Sequence, residues 1–193
     1  MLHSGRSSVL HNSYKDHGQS GGISSLETIA VYWEAQVKVY GITGKSGLAL
    51  GVLRFHQDRM ASWAERITHL ESTLRRFELV TCHGTDKDRM ELYLVIENDG
   101  RDAMLSLMNR WLEEEPAAQF SMNAPFYMIF LHGPHFQDRF GIAETAFSIL
   151  AKHNIQITLS GCAGTSMYLI FPEDQGAAAL KILKETFLIP TTA

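Results

Sequence analysis

From residue 126 onwards the apolar and polar positions spell out a series of elements. Phe126 to Leu131, FYMIFL, is a continuous apolar and aromatic run and predicts a strand. His132, Gly133 and Pro134 break it. Asp138 stands where it can cap a helix by accepting from free N–H groups. Ala143, Ala146, Phe147 and Leu150 then recur at helical spacing as one apolar face. His153-Asn154 supplies a stop. Ile155, Ile157 and Leu159 alternate with Gln156 and Thr158, the pattern of a half-buried strand. Gly161 to Ser166 turns the chain, and Met167 to Phe171 returns as a strand that Pro172 ends. The sequence EDQG leads into a last helix with Ala179, Ile182, Leu183 and Thr186 on one face.

The same order has already been written once. Cys82-His83-Gly84-Thr85 and Cys162-Ala163-Gly164-Thr165 lie 80 residues apart, and so do the Gln-Asp-Arg triplets at 57–59 and 137–139. Two matches at one offset, with similar patterns between them, indicate a duplication. The first copy predicts a helix over Arg59 to Leu74 with Trp63, Ile67 and Leu70 inward. It predicts paired strands at Phe77 to Thr81 and Met90 to Ile96, and a second helix at Asp102 to Leu112. At its front, QVKVYGITGKSGLALGVLRF is too long for one strand. Gly44 to Gly47 reads as a hairpin tip between Val37–Ile42 and Leu48–Phe55.

Each copy runs β-α-β-β-α and needs a strand to finish, the split βαβ arrangement of ferredoxin-like folds. The expected class is α+β: two ferredoxin-like βαββαβ repeats with their sheets side by side. Phe126–Leu131 and Met167–Phe171 should share a sheet. The expected divisions are a flexible Ser/Gly/His-rich leader over 1–22, a first repeat with the extra hairpin over 23–119, and a second over 120–193.

Composition narrows the function. Hydrophobic residues make up 45% and charged residues 20% of the 193, ordinary values for a globule. The net charge of −4 leaves no basic footprint for nucleic acid. No apolar run reaches the roughly 20 residues of a membrane helix, and the leader lacks the core of a signal peptide. The two cysteines read as free thiols in a reducing cytoplasm. An enzyme using Cys82 or Cys162 would need a His and a carboxylate arranged around the thiol, and the spacing supplies neither. Gly44-Lys45-Ser46 resembles the end of a phosphate-binding loop, but the glycine required five residues earlier is replaced by Val39. His132-x-x-His135 lacks a third ligand for zinc. No metal and no cofactor is expected.

The second copy, from His132 to Phe187, resembles an ACT domain, and more narrowly the last ACT domain of aspartate kinases, the lysine-sensitive type included. The residues that carry this are the strand ending at Gly133, the helix opening Gly141-Ile142-Ala143, the HNIQI entry at 153–157 and YLIFPEDQGAAALKIL at 168–183. Leu26 to Ile42 resembles the segment that enters the paired ACT domains from the kinase domain. The first copy departs from the pattern, with Arg59-Met60-Ala61 at its helix start. The kinase domain itself, with its phosphate-binding segment, is absent. The resemblance therefore implies a regulatory part without catalysis.

It also implies a site. In the family a feedback amino acid lies at a seam between ACT domains, its carboxylate on backbone N–H groups at the first loop and helix start, a helix N-terminus in physical terms. Here those loops are Phe55–Arg59 and Gly133–Ile142. The implied effector-binding residues are Asp58, Arg59 and Glu78 in copy one, and Gly133, Asp138, Gly141 and Ile142 in copy two. Asp58 and Asp138 read equally as N-caps, Arg59 and Arg139 as solvated surface. Glu78 corresponds to the acidic residue that holds an effector's side-chain amine, with Thr158 as its counterpart, or it is an exposed residue on the strand. Two readings stay open. One is a sensor of lysine or threonine that acts on a homodimer or a separate aspartate kinase chain. The other is a structural dimerisation module whose ligand site has decayed.

Overall fold

A computed structural model describes residues 37–74, 76–86, 88–133 and 141–190. They fall within one compact unit, Glu34–Ala193. The elements are β1 (Gly41–His56), α1 (Met60–Leu74), β2 (Leu79–Asp86), β3 (Arg89–Glu97), α2 (Arg101–Glu114), β4 (Gln119–His132), α3 (Ile142–Lys152), β5 (Leu159–Ala163), β6 (Ser166–Pro172) and α4 (Glu173–Thr186). One helical turn, Gln57–Arg59, precedes α1, and another, Asn98–Gly100, precedes α2. The six strands form a single antiparallel sheet in the order β2-β3-β1-β4-β6-β5. Phe126–Leu131 and Met167–Phe171 are direct neighbours in it, with Tyr127 opposite Phe171 and Leu131 opposite Met167.

The expected hairpin is not there. Gly41 to His56 is one strand, because a single long partner, β4, runs beside it from Gly41↔His132 to Arg54↔Gln119. Two register shifts break this ladder. Between Lys45 and Leu48 the extra residue is on β1, and between Leu48 and Leu50 it is on β4. Each extra residue is a β-bulge, and a bulge flips the in–out alternation of its strand. So Ile42 faces the same side as Ala49 and Leu53, and Phe120 and Met122 the same side as Ile129 and Leu131. Gly47, at φ +70°, sits in the β1 bulge, where left-handed backbone suits glycine. A break in periodicity at Gly44–Gly47 resembles a turn in sequence, but here it only re-aims the strand.

The bulges let two long strands serve both repeats. In the first half, β2-β3-β1 is completed by the start of β4. In the second, β5-β6-β4 is completed by Gly41–Lys45 at the start of β1. The finishing strand of the second copy thus comes from residues ahead of the first. After α4 the chain runs beside the entry to β1, with Lys38 bridged to Leu188 in parallel.

Three clusters hold this together. Trp63, Leu70, Met104, Met108 and Trp111 of α1 and α2 pack on Leu53, Phe55, Leu94 and Ile96. Ile142, Ala146, Leu150, Ala179 and Leu183 of α3 and α4 pack on Ile129, Leu131, Met167 and Phe171. Leu48, Leu50, Val95, Met128 and Ile170, which alternate with these strand residues, form a third buried cluster on the other face of the curled sheet. Phe147, expected inward, is exposed. Ile142, Ala146 and Leu150 already fill the inner stripe of α3, and Phe147 lies about 100° round from Ala146. Ile155 and Ile157 are partly buried as expected but precede β5 rather than belonging to it.

Candidate functional site

The first candidate loop follows β1. Asp58 does not cap α1. The side chain of His56 caps the turn instead, its Nδ1 accepting from the Asp58 N–H at 3.4 Å, and the Asp58 carboxylate projects into solvent. Arg59 is turned back onto the protein, with its Nε 3.2 Å from the carboxylate of Glu115, the residue that ends α2. Glu115 is buried. It also accepts from the Trp63 indole N–H at 3.1 Å and from Arg66 at 3.2 Å. The Arg66 guanidinium lies over the Trp63 ring, 4.7 Å from its centre. Arg59 is therefore already committed to an internal partner.

Glu78 lies elsewhere. Its N–H bonds the Val95 carbonyl, whereas His56 pairs with Arg89 at the far end of β3. Six residues of strand separate the two levels, about 20 Å. Nor is Glu78 an exposed strand residue. It precedes β2, and its side chain is only 10% exposed. Arg76 donates to it through Nε at 2.9 Å and a terminal nitrogen at 2.5 Å, and Lys45 Nζ approaches to 3.0 Å. Lys45 Nζ also donates to Glu97 at 2.5 Å. Burial alone would push the Glu78 carboxyl up, but the bonds from Arg76 and Lys45 outweigh it and hold the group below its ordinary value. The bond from Lys45 to Glu97 is the main reason that the lysine is pushed up, against a smaller opposing effect of burial. An open cavity of about 620 Å³ borders these groups, lined among others by Thr73, Arg76, Glu78, Glu97, Asp99 and Gly100. Lys45, Glu97 and Arg76 escape a sequence reading. The only available signal was Gly44-Lys45-Ser46, which pointed to phosphate.

The second candidate loop begins after β4. Gly133 is buried, and its N–H donates to the Thr165 carbonyl at 2.9 Å. Asp138, together with His135 and Arg139, lies outside the described residues. Gly141 begins α3 at φ +94°, a conformation that a side chain resists, and no side chain caps the helix there. Ile142, expected at the effector, points into the core. Thr158, the counterpart of Glu78, is exposed and offers no carboxylate. Gly133 lies beyond the Gly41 end of β1, and Asp58 and Arg59 follow its His56 end. Asp58–Arg59, Glu78 and Gly133 therefore lie apart within one chain.

Among the described residues no set of three His, Cys, Asp or Glu side chains stands where it could hold a metal. Cys82 and Cys162 are free and exposed on β2 and β5, and partial desolvation pushes both thiols up, away from a reactive thiolate. No helix among the described residues is long and apolar enough to cross a membrane.

No family model and no curated protein matches the chain. Solved structures do. The regulatory subunit of aspartate kinase from Thermus flavus superposes with a TM-score of 0.68 at 15% identity, over 78% of this chain and 99% of that one. The ligand-free regulatory subunit from Thermus thermophilus gives 0.66 at 14%, over 78% and 99%. The aspartate kinase of Synechocystis gives 0.67 at 17%, over 83% of this chain and 29% of that enzyme. At these identities the likeness is one of fold: the chain has the ACT-type fold of an aspartate kinase regulatory region, matched without a kinase domain.

Proposed function

We propose that the chain is a non-catalytic regulatory module that binds a small amino acid, such as lysine or threonine, and couples it to the pairing of ACT domains. The partner is a second copy or a separate aspartate kinase chain, in the cytoplasm. One observation carries this reading: the fold matches stand-alone regulatory subunits over 99% of their length. The sheet supports it. Its two edges, β2 and β5, carry no lysine or proline among the described residues, so their free N–H and C=O groups remain open to another strand. Effector contacts are assigned to the loop and helix start of each half: Asp58 in one, with Arg59 only if it leaves Glu115, and in the other Gly133, Asp138 and the backbone of Gly141 and Ile142, the Ile142 side chain being in the core. They would be completed by the neighbour's strand, because one chain does not unite them.

A thermal-shift screen of the full chain against the twenty amino acids tests the sensing, since a ligand of the folded state must raise the midpoint. Sedimentation with and without the hit tests the coupling. A stabilising amino acid that also shifts the association constant is the expected result, with a coupling on the order of 1–3 kcal/mol. No stabilisation by any of them, with a dimer still present, would leave the second reading, a structural pairing module. The pairing of Arg59 and Glu78 with internal partners favours that alternative.

A further inference from the structure

Glu78 and Glu97 together hold a primary ammonium, and that ammonium belongs to the chain itself. Lys45 Nζ lies 3.0 Å from Glu78 and 2.5 Å from Glu97. A carboxylate as covered as Glu78 is costly unless cations stay with it. Arg76 supplies one, and the strand delivers the second, Lys45, by construction. The extra residue between Lys45 and Leu48 and the left-handed Gly47 set the path of β1 just where Lys45 leaves it. The backbone there is fastened from the other half as well, since the Gly47 N–H donates to the Glu173 carboxylate at 3.1 Å. Beside the pair the cavity of about 620 Å³ gives a small molecule access to the same carboxylates.

We propose that Glu78 and Glu97 form an ammonium subsite whose tethered occupant is Lys45, and that Lys45 thereby excludes free amines from it. The subsite stands on this geometry alone. Its consequence for specificity rests on the amino-acid-sensing reading: an effector of this chain would be one without a side-chain amine, threonine rather than lysine.

The test removes the ammonium and supplies another. Lys45→Met keeps most of the stem and deletes the charge. Melting of the full-length wild type and of Lys45→Met is followed against n-butylammonium chloride, with sodium chloride and tetramethylammonium chloride at equal ionic strength as controls. The wild-type midpoint should not respond to n-butylammonium beyond the salt control. Lys45→Met should melt a few degrees lower and regain much of that loss as n-butylammonium rises. Tetramethylammonium, which has no N–H to donate, should restore nothing, and Glu78→Gln added to Lys45→Met should abolish the rescue. Lys45→Arg keeps a cation on the pair and should melt near the wild type. Absence of rescue in a folded Lys45→Met would overturn the proposal, as would a Lys45→Arg variant that loses as much as Lys45→Met. A wild type that binds lysine and loses that binding in Glu78→Gln would overturn it too. Amine rescue supports the subsite whether or not any amino acid stabilises the wild type, which is the separate test of sensing.

Discussion

Glu115 is the most consequential single side chain outside the apolar core. It is the one buried charged residue among those described, and it satisfies the Trp63 indole, Arg66 and Arg59 at once. Glu115→Ala leaves a buried N–H and a largely covered guanidinium without their acceptor. The expected loss is about 3–5 kcal/mol, that of breaking a buried pair, read from the urea midpoint. Arg59→Ala removes only a half-exposed partner and should cost about 1 kcal/mol or less. Equal losses would show that Arg59, not the Trp63–Arg66 pocket, dominates. Gly176 offers a second residue-scale test. A methyl group there would lie 2.1 Å from the Tyr127 ring, while a methyl at Gly44 would meet the same tyrosine at 2.4 Å. The ring is enclosed by both glycines and has little room to retreat. Gly176→Ala gains about 1 kcal/mol of helix propensity, but overpacking costs typically 1–3 kcal/mol. With no easy escape for the ring the upper part of that range applies, so a net loss in chemical denaturation is expected, and a gain would show that the ring moves freely.

At the scale of elements, the carboxylates beside β1 determine the acid stability of the first half. Glu78 is held down by Arg76 and Lys45 against the effect of its burial. Glu91 is held down first by the Tyr93 hydroxyl, which donates to it at 2.5 Å, and then by Arg54. A carboxyl group with a lowered folded pKa binds fewer protons folded than unfolded. Its contribution is complete above the ordinary carboxylate pKa of about 4.3 and is lost as pH falls through the lower folded value. The melting midpoint should therefore fall on the acid side of that range. Glu78→Gln should lower stability at neutral pH, because Lys45 and Arg76 lose a charged acceptor, and should make the acid limb shallower. An unchanged slope would remove Glu78 from this role. The bulge in β1 is testable in the same way: Gly47→Ala places a side chain at φ +70° and should cost about 1–2 kcal/mol, although the methyl itself meets nothing within 4 Å.

For the whole molecule, the proposed pairing predicts where a charge would matter. Val80 is exposed on β2 and Ser160 lies on β5, the two outer strands. Lysine at either position should weaken association measured by sedimentation while leaving the melting of the dilute chain almost unchanged, since neither side chain belongs to a core cluster. Association that persists in the double variant would move the interface off the sheet edges. The purified chain should also show no aspartate phosphorylation, and detectable turnover would contradict the regulatory reading.

The sequence by itself determined the repeat, the order of elements and nearly every helix. Helical stripes such as Trp63–Leu70 and Ala179–Leu183 are local patterns, and burial follows them directly. Two signals were local but ambiguous. The broken alternation at Gly44–Gly47 fits a hairpin or a bulge equally well, and only the presence of one long partner strand selects the bulge. The Asp58 position looks like a cap, but a helical turn already begins at Gln57 and His56 caps it, accepting from the N–H of Asp58 itself. The tertiary structure alone decided how the second half is completed, because Gly41–Lys45 meets β4 from more than eighty residues away. It also decided the fate of the candidate charges. Arg59, Glu78 and Lys45 are unremarkable as letters. Their roles depend on Glu115, on Glu97 and, for Glu78 and Lys45, on each other, which folding brings together, and a carboxylate's partner across a sheet leaves no trace in the spacing along the chain.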